Sequence, residues 1–171
     1  MIEIKAVSAV ITDALLKSLQ ATYSMNWYGI HGFEHWCRVR ENGLRLAGIN
    51  GANPKVIEYF AFFHDNQRLS DGRDPMHGSR AAELIRSQFI EHLDLSQADI
   101  DLLCDACENH SKGWLEGPLT LQTCWDADRL DLNRVGIMPD RTKMCTDAAR
   151  EEVVMKWAIE RSNAWAQGSS R

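Results

Sequence analysis

The sequence predicts an all-α protein, a single compact domain of about six or seven helices. Three observations lead to this prediction. Apolar residues recur at helical spacing in segment after segment, capping residues precede several of these segments, and no stretch shows the alternation typical of a strand. The 171 residues are 44% apolar and 25% charged, as expected for one globular domain. Because there is neither a linker nor an internal repeat, residues 1–171 are expected to form one unit.

The first half of the chain contains three predicted helices. Apolar residues recur every fourth position over residues 7–19, and a second helix is expected over about 31–47. Asn53-Pro54 supplies an N-cap and a proline for the first turn of a third helix, which runs through 56–65. Residues 69–75 are polar and contain Gly and Pro, which predicts a loop.

Four further helices are predicted over 77–92, 96–109, 119–132 and about 140–166. Ser96 and Asp99 resemble a capping box in which Asp replaces Glu. The small and polar residues of 167–171 are expected to fray.

The charge balance limits the classes of partner. Lys and Arg total 19 against 24 Asp and Glu, a net charge of −5, which argues against binding to a nucleic-acid polymer. No apolar run approaches the ~20 residues that cross a bilayer, and the first five residues lack a signal-peptide pattern. Five cysteines, with Cys104 and Cys107 expected on a buried helix face, fit reduced thiols in the cytoplasm better than a disulfide framework. Arg outnumbers Lys by 13 to 6, which favours contacts with phosphate or carboxylate groups.

Side chains that can bind a metal occur in five segments. They are His31-Gly-Phe-Glu-His35, His64-Asp65, His77, His110 and Asp126-Ala-Asp128. Imidazole and carboxylate groups without organised thiolates suit Fe, Mn, Ni, Zn, Co or Mg. Any one of these residues is more often structural, but together, near predicted helix ends, they predict a site for one or two divalent ions. His31 and His35 are expected on one helix face.

Three sequence blocks carry a family resemblance. H-W-C-R-V at 35–39, A-F-F-H-D-N-Q-R at 61–68 and W-D-A-D-R-L-D-L-N-R-V-G at 125–136 resemble the HD superfamily of metal-dependent phosphohydrolases. The match covers about residues 29–136. The D-A-D-R-L-D block is similar to that of small bacterial HD proteins that hydrolyse phosphate esters or anhydrides of nucleotides. The resemblance implies an HD-type helical domain.

The resemblance assigns the metal ligands residue by residue. His35 matches the first ligand, His64 and Asp65 match the doublet, and Asp126 matches the final Asp. His77 and His110 match extra histidines of members that bind two metals, in which Asp65 would bridge the ions. In members that bind one metal, equivalent positions can contact the substrate instead.

The resemblance and the basic residues also suggest groups around the substrate. Arg68 stands where many members have Lys, which implies a contact with phosphate, and His31 is expected in an outer shell or facing the substrate. We therefore expect Asp65, Arg68 and His31 to take part in catalysis. The residues expected to bind substrate oxygens are Arg68, Arg73, Arg80 and Lys112. Arg129 is expected to pair with Asp126 or Asp128.

Three functions remain open from sequence. The first is a phosphohydrolase that uses metal-activated water on a small anionic phosphorylated metabolite, with a nucleotide as one option. The second is an HD-type di-iron oxygenase that cleaves a C–C or C–P bond. The third is a non-catalytic, metal-stabilised regulatory module. The substrate, the native metal and the oligomeric state, a homo-oligomer included, are left open.

Overall fold

The computed structural model describes residues 6–169, in which the chain forms eight α-helices and no strand. The helices are α1 (Asp13–Thr22), α2 (Phe33–Asn50), α3 (Pro54–Phe63), α4 (His77–Leu84), α5 (Gln97–Asn109), α6 (Leu119–Arg129), α7 (Asp147–Arg150) and α8 (Glu152–Ser169). The all-α prediction is confirmed. No described helix is long and apolar enough to span a bilayer.

Two predicted helix starts are confirmed by the side chains that cap them. The Asn53 side chain accepts hydrogen bonds from the amides of Lys55 and Val56 at the start of α3. Ser96 accepts from the amide of Asp99 at the start of α5, and the Asp99 carboxylate accepts from the Ser96 hydroxyl. These side chains occupy amide groups that have no partner within the helix, and so they fix where each helix begins.

Two helix starts differ from the prediction. The first helix begins at Asp13 rather than in the apolar run before it, because the Ser8 hydroxyl accepts from the amides of Val10 and Ile11 and bends the chain there. The second begins at Phe33, so His31 precedes it and does not share a helix face with His35.

Two longer predicted helices are interrupted. Residues 77–92 stay helical but pass from α4 into a π-helix, Ile85–Phe89, and then a 3-10 turn, Ile90–His92. Residues 140–166 contain a 3-10 turn, Arg141–Lys143, and then α7 and α8, which Glu151 separates in an extended conformation. The fraying predicted for 167–171 is wrong for 167–169, where α8 continues to Ser169, and residues 170–171 lie outside the described part of the chain.

The helix α3 is the central element of the core. All of its residues from Val56 to Phe63 are buried, and it packs against α2, α5 and α6. A helix that is buried on every side is stable only when neighbouring helices surround it, and its buried charge, Glu58, accepts hydrogen bonds from Arg40 and Ser8. The residues that follow its last turn, His64 and Asp65, are therefore delivered into the interior of the protein.

Two glycines allow the helices around the site to approach closely. A Cβ atom on Gly43 in α2 would lie 2.4 Å from Ile57 of α3, and one on Gly78 in α4 would lie 2.3 Å from the Cys107 carbonyl oxygen of α5. Both distances are shorter than atoms tolerate, so any larger residue would force the helices apart. Gly78 follows His77, and its contact with α5 places that histidine near His110.

Candidate metal centre

Four buried histidines meet at the end of α3. They are His35 on α2, His64 just after α3, His77 at the start of α4 and His110 just after α5. In each ring the Nδ1 atom is occupied. His64 Nδ1 contacts the carbonyl oxygens of Phe60 and Ala61, both at 3.1 Å, and His110 Nδ1 contacts that of Cys107 at 2.6 Å.

The two remaining rings are held in the same way. His77 Nδ1 contacts the carbonyl oxygen of Asp74, and His35 Nδ1 lies 2.7 Å from a carboxylate oxygen of Asp131. Because carbonyl and carboxylate oxygens only accept hydrogen bonds, Nδ1 carries the proton in all four rings. Each Nε2 atom is therefore left with a free lone pair, the form in which imidazole binds a metal.

The Nε2 atoms face one another in two pairs. Nε2 of His35 lies 3.1 Å from Nε2 of His64, and Nε2 of His77 lies 2.8 Å from Nε2 of His110. Two lone pairs repel each other at this distance unless a cation lies near both nitrogens. Two nitrogens bound at right angles to one ion, each at ~2.1 Å, would lie ~3.0 Å apart. The spacing of each pair therefore fits two ligands of one ion.

Asp65 lies between the two pairs, with one carboxylate oxygen directed at each. Its Oδ1 lies 3.2 Å from His77 Nε2 and 3.5 Å from His110 Nε2. Its Oδ2 lies 3.6 Å from His35 Nε2 and 3.8 Å from His64 Nε2. The structure thus places Asp65 as a carboxylate that can bridge two ions, one at each histidine pair.

Asp128 is the second carboxylate at the site. Its Oδ1 lies 3.4 Å from His35 Nε2 and 3.7 Å from His64 Nε2. This oxygen is buried and has no hydrogen-bond partner, which is costly for a carboxylate unless a cation completes its surroundings. The ligand atoms of His35, His64 and Asp128 lie within 4.8 Å of one another, as do those of His64, Asp65 and His110.

The structure corrects the prediction for Asp126, which does not reach the histidines. Its two carboxylate oxygens accept hydrogen bonds from the amides of Cys145 and Thr146, at 2.7 and 2.8 Å, and from the Thr146 hydroxyl. Asp126 therefore holds the chain that leads into α7, and the carboxylate of this block that lies beside the histidines is Asp128. The predicted pairing of Arg129 is also wrong, because its guanidinium donates to the carbonyl oxygens of Trp114 and Lys143.

Asp131 and Arg38 form an outer shell that sequence reasoning missed. Asp131 lies just past α6 and accepts two hydrogen bonds from Arg38, at 2.7 and 3.0 Å, in addition to its contact with His35. The hydroxyl of Ser162 on α8 also donates to it. A carboxylate behind a histidine fixes the ring and raises the basicity of its other nitrogen. The available signal was the third Asp of the D-A-D-R-L-D block.

Electrostatic contacts keep Asp65 and Asp131 ionised although both are buried. Burial opposes the ionisation of Asp65, but its contacts with the surrounding histidines, among them the hydrogen bond that His31 Nδ1 donates to Oδ2, outweigh it and hold the pKa well below its usual value. Burial also opposes ionisation of Asp131, but the contacts with His35 and Arg38 lower its pKa to about 2. Burial and the charge of Arg134 lower the pKa of His35 to about 4, which favours the neutral ring that a metal requires.

A cavity of about 380 Å³ opens on Asp65 and Asp128. Its lining contains three arginines, Arg68, Arg129 and Arg134, together with His31 and a third carboxylate, Asp71. His31 Nδ1 is 2.9 Å from Asp65 Oδ2, and Arg68 Nε donates to Asp65 Oδ1 at 3.0 Å. Sequence reasoning included His31 and Arg68 but missed Arg134, which stands six residues beyond Asp128 in the same block.

The other cations predicted to bind substrate lie outside the lining of this cavity. Arg80 donates to the Gln67 carbonyl oxygen and to the Asp74 carboxylate, so its guanidinium holds the loop before α4. Lys112 donates to Asn109 and lies over the Trp114 ring. Arg73 is exposed. The predictions for these three residues are corrected accordingly.

Comparison of the chain with protein-family models, with curated proteins and with solved structures finds no significant match.

Proposed function

We propose that the protein is a metal-dependent phosphohydrolase of the HD type that binds two divalent ions. One observation carries the proposal: the two carboxylate oxygens of Asp65 face two separate pairs of histidine nitrogens. In this proposal His35, His64 and Asp128 would hold one ion, His77 and His110 would hold the other, and Asp65 would offer one carboxylate oxygen to each. The sequence order His, His-Asp, His, His, Asp agrees with the resemblance.

The residues present fit such ions. Four neutral imidazoles and two carboxylates suit Mn, Fe, Co, Ni or Zn. The unpartnered Asp128 Oδ1 and the facing lone pairs are the features that a cation would satisfy. Divalent ions bound there would polarise a phosphoryl oxygen and lower the pKa of water.

Two arginines of the cavity lining, Arg134 and Arg68, support an anionic substrate. Arg134 Nη2 lies 3.3 Å from His31 Nδ1, but that nitrogen donates its proton to Asp65 and cannot accept another. Arg134 Nε and Nη1 donate to the carbonyl oxygens of Ile30 and Asp131. The Nη2 protons therefore remain for an oxygen of a bound phosphoryl group, and Arg68 flanks the same cavity.

The proposal is tested by stripping the protein with EDTA and measuring hydrolysis of an aryl phosphate and of a panel of phosphorylated metabolites after Mn²⁺, Co²⁺ or Ni²⁺ is added. We expect metal to restore the activity and Asp65→Asn to reduce it by ~100-fold or more. Asp105→Asn, which changes an exposed Asp on α5, is the matched control and should keep full activity. Full activity of Asp65→Asn on every substrate, or activity that EDTA leaves unchanged, would contradict the proposal.

A di-iron oxygenase is the second candidate, because the same six ligand positions could hold two irons. The observation that favours it is the presence of the complete second histidine pair, His77 and His110, opposite Asp65 Oδ1. Purified protein with two irons per chain, a mixed-valent EPR signal and oxygen uptake with an organic substrate would favour the oxygenase. Absence of that signal together with metal-dependent phosphate release would favour the hydrolase.

A further inference from the structure

A second cavity adjoins the one that opens on Asp65. Its volume is about 150 Å³, and it shares Gly113, Arg129 and Leu132 with the larger cavity. Beyond this shared part its lining is mainly apolar, with Ile137, Met138 and Met144. The two cavities therefore combine a charged compartment beside the histidines with a neighbouring apolar compartment.

The boundary between the compartments is built from fixed groups. The Arg129 guanidinium is held by the carbonyl oxygens of Trp114 and Lys143 and by Cys145 Sγ. Gly113 has a positive φ of 77°, and no atom lies within 4 Å of the point where a Cβ would stand. Leu132, half-buried, presents apolar surface to both cavities. Gly113 and Leu132 therefore form the part of the lining at which the two cavities adjoin.

The size of the smaller cavity limits what can occupy it. An apolar cavity of about 150 Å³ accommodates one benzene-sized ring. Ile137 and Met138 expose more than half of their surface, so apolar area that is now in contact with water would be covered by such a group. Two exposed charged residues, Asp140 and Lys143, complete the lining.

We infer that the substrate joins a phosphoryl group to an apolar group of about one six-membered ring. The phosphoryl group lies in the larger cavity against Arg134 and Arg68, and the ring lies in the smaller one against Leu132, Ile137 and Met138. This inference rests on the proposed function, because it takes the larger cavity to be the phosphoryl site. It adds the part of the substrate that the phosphoryl site does not contact.

The test compares methylphosphonate with phenylphosphonate, neither of which has a P–O ester bond to hydrolyse. Binding to the Mn²⁺-loaded protein is measured by calorimetry without oxygen. Each buried methylene tightens binding by about fourfold. We therefore expect phenylphosphonate to bind at least about tenfold more tightly than methylphosphonate.

A variant locates the ring. Ile137→Ser changes an exposed side chain, so folding should be preserved, and we expect it to weaken phenylphosphonate by at least about threefold while methylphosphonate is unchanged. Ile49→Ser, at an exposed apolar residue of α2 outside both linings, should leave both affinities unchanged. The methyl NMR signals of Met138 and Met144 should shift with phenylphosphonate and stay in place with methylphosphonate.

The outcomes separate this inference from the proposed function. Equal affinity for the two ligands would refute the claim that the smaller cavity binds a ring, and it would leave the proposed phosphoryl site uncontradicted. Tighter binding of phenylphosphonate that Ile137→Ser does not change, with the Met138 and Met144 signals unmoved, would also refute that claim. Binding of neither ligand would contradict the phosphoryl site and the inference together.

Discussion

Asp126→Asn and Asp128→Asn should have opposite consequences, although the two residues stand two positions apart. Both substitutions keep the size of the side chain and remove one negative charge. Asp128 faces the histidines and makes no hydrogen bond through Oδ1, whereas Asp126 accepts hydrogen bonds from Cys145 and Thr146. We expect Asp128→Asn to impair metal binding and Asp126→Asn to impair folding.

The size of the folding effect follows from the hydrogen bonds at Asp126. An Asn side chain retains one accepting oxygen, and its NH₂ group would face a buried amide that also donates. A buried donor left without an acceptor costs ~1–3 kcal/mol, so one or two lost bonds should lower the free energy of unfolding by about 2–4 kcal/mol. Asp128→Asn breaks no hydrogen bond at Oδ1 but removes the carboxylate that lies 4.0 Å from Arg134 Nη1, so we expect the free energy of unfolding of the metal-free protein to fall by less than it does in Asp126→Asn.

The size of the metal effect follows from linkage. At a metal concentration 100 times the dissociation constant, binding stabilises the folded protein by about 2.7 kcal/mol. If Asp128→Asn raises the dissociation constant at the His35–His64 pair by 100-fold or more, most of that stabilisation is lost at the same concentration. Asp126→Asn should keep the full stabilisation by metal, because Asp126 does not lie among the histidines that would bind the ions.

The assay is urea denaturation of both variants in EDTA and in Mn²⁺, with metal content measured by mass spectrometry after dialysis. The difference between the two free energies of unfolding gives the metal increment for each protein. If folded Asp126→Asn lost the bound metal while Asp128→Asn retained it, the reassignment from Asp126 to Asp128 would be refuted. An equal metal increment in both variants would show that Oδ1 of Asp128 binds no ion.

Three further predictions concern the shells around the site. Asp131→Asn should weaken metal binding by about 10- to 100-fold in titrations, because His35 loses its carboxylate partner, and unchanged affinity would contradict that role. In EDTA the free energy of unfolding should fall by about 3 kcal/mol between pH 7 and pH 4. The reason is that His35 has a pKa of about 4 in the folded protein and 6.5 in the unfolded chain, so unfolding in this pH range takes up a proton. A series of denaturant titrations that shows no decline would contradict this prediction. Gly78→Ala should separate α4 from α5 and reduce the metal content by about one ion per chain, whereas Gly48→Ala, where no atom lies within 4 Å, should leave two.

Local signals predicted the fold well where a side chain satisfies the backbone. The N-caps Asn53 and Ser96 were readable because each binds amides within three residues of itself. The interruption of the helix before α7 could not be predicted, since it depends on hydrogen bonds to Asp126, about twenty residues away in sequence. Helix ends set by distant groups leave no local pattern, and the predicted helix over 140–166 was for that reason too long.

The order of residues along the chain predicted the histidines and Asp65 as candidate metal ligands. It did not predict that the four histidines form two pairs. The pairing depends on how closely the helices approach. Gly43 allows α2 to lie against α3, and Gly78 allows α4 to lie against α5, which brings His77 to His110. Neither glycine is distinguished from the other nine by its sequence neighbours.

The D-A-D-R-L-D block illustrates where sequence information ends. On a helix each residue turns by ~100°, so Asp126 and Asp128 differ by ~200° and face nearly opposite sides, while Asp131 lies within ~60° of Asp128. The sequence could therefore have shown that Asp128 and Asp131 act on one side and Asp126 on the other. It could not have shown which side meets His35, because carboxylates are chemically alike and the side that faces His35 depends on which segment packs against it.

In the structure α2 covers the side with Asp128 and Asp131, and the chain before α7 covers the side with Asp126. Two of the three carboxylates thus contact His35, Asp128 near Nε2 and Asp131 at Nδ1. The third, Asp126, binds the segment that leads to α8, and α8 carries Ser162, which donates a hydrogen bond to Asp131.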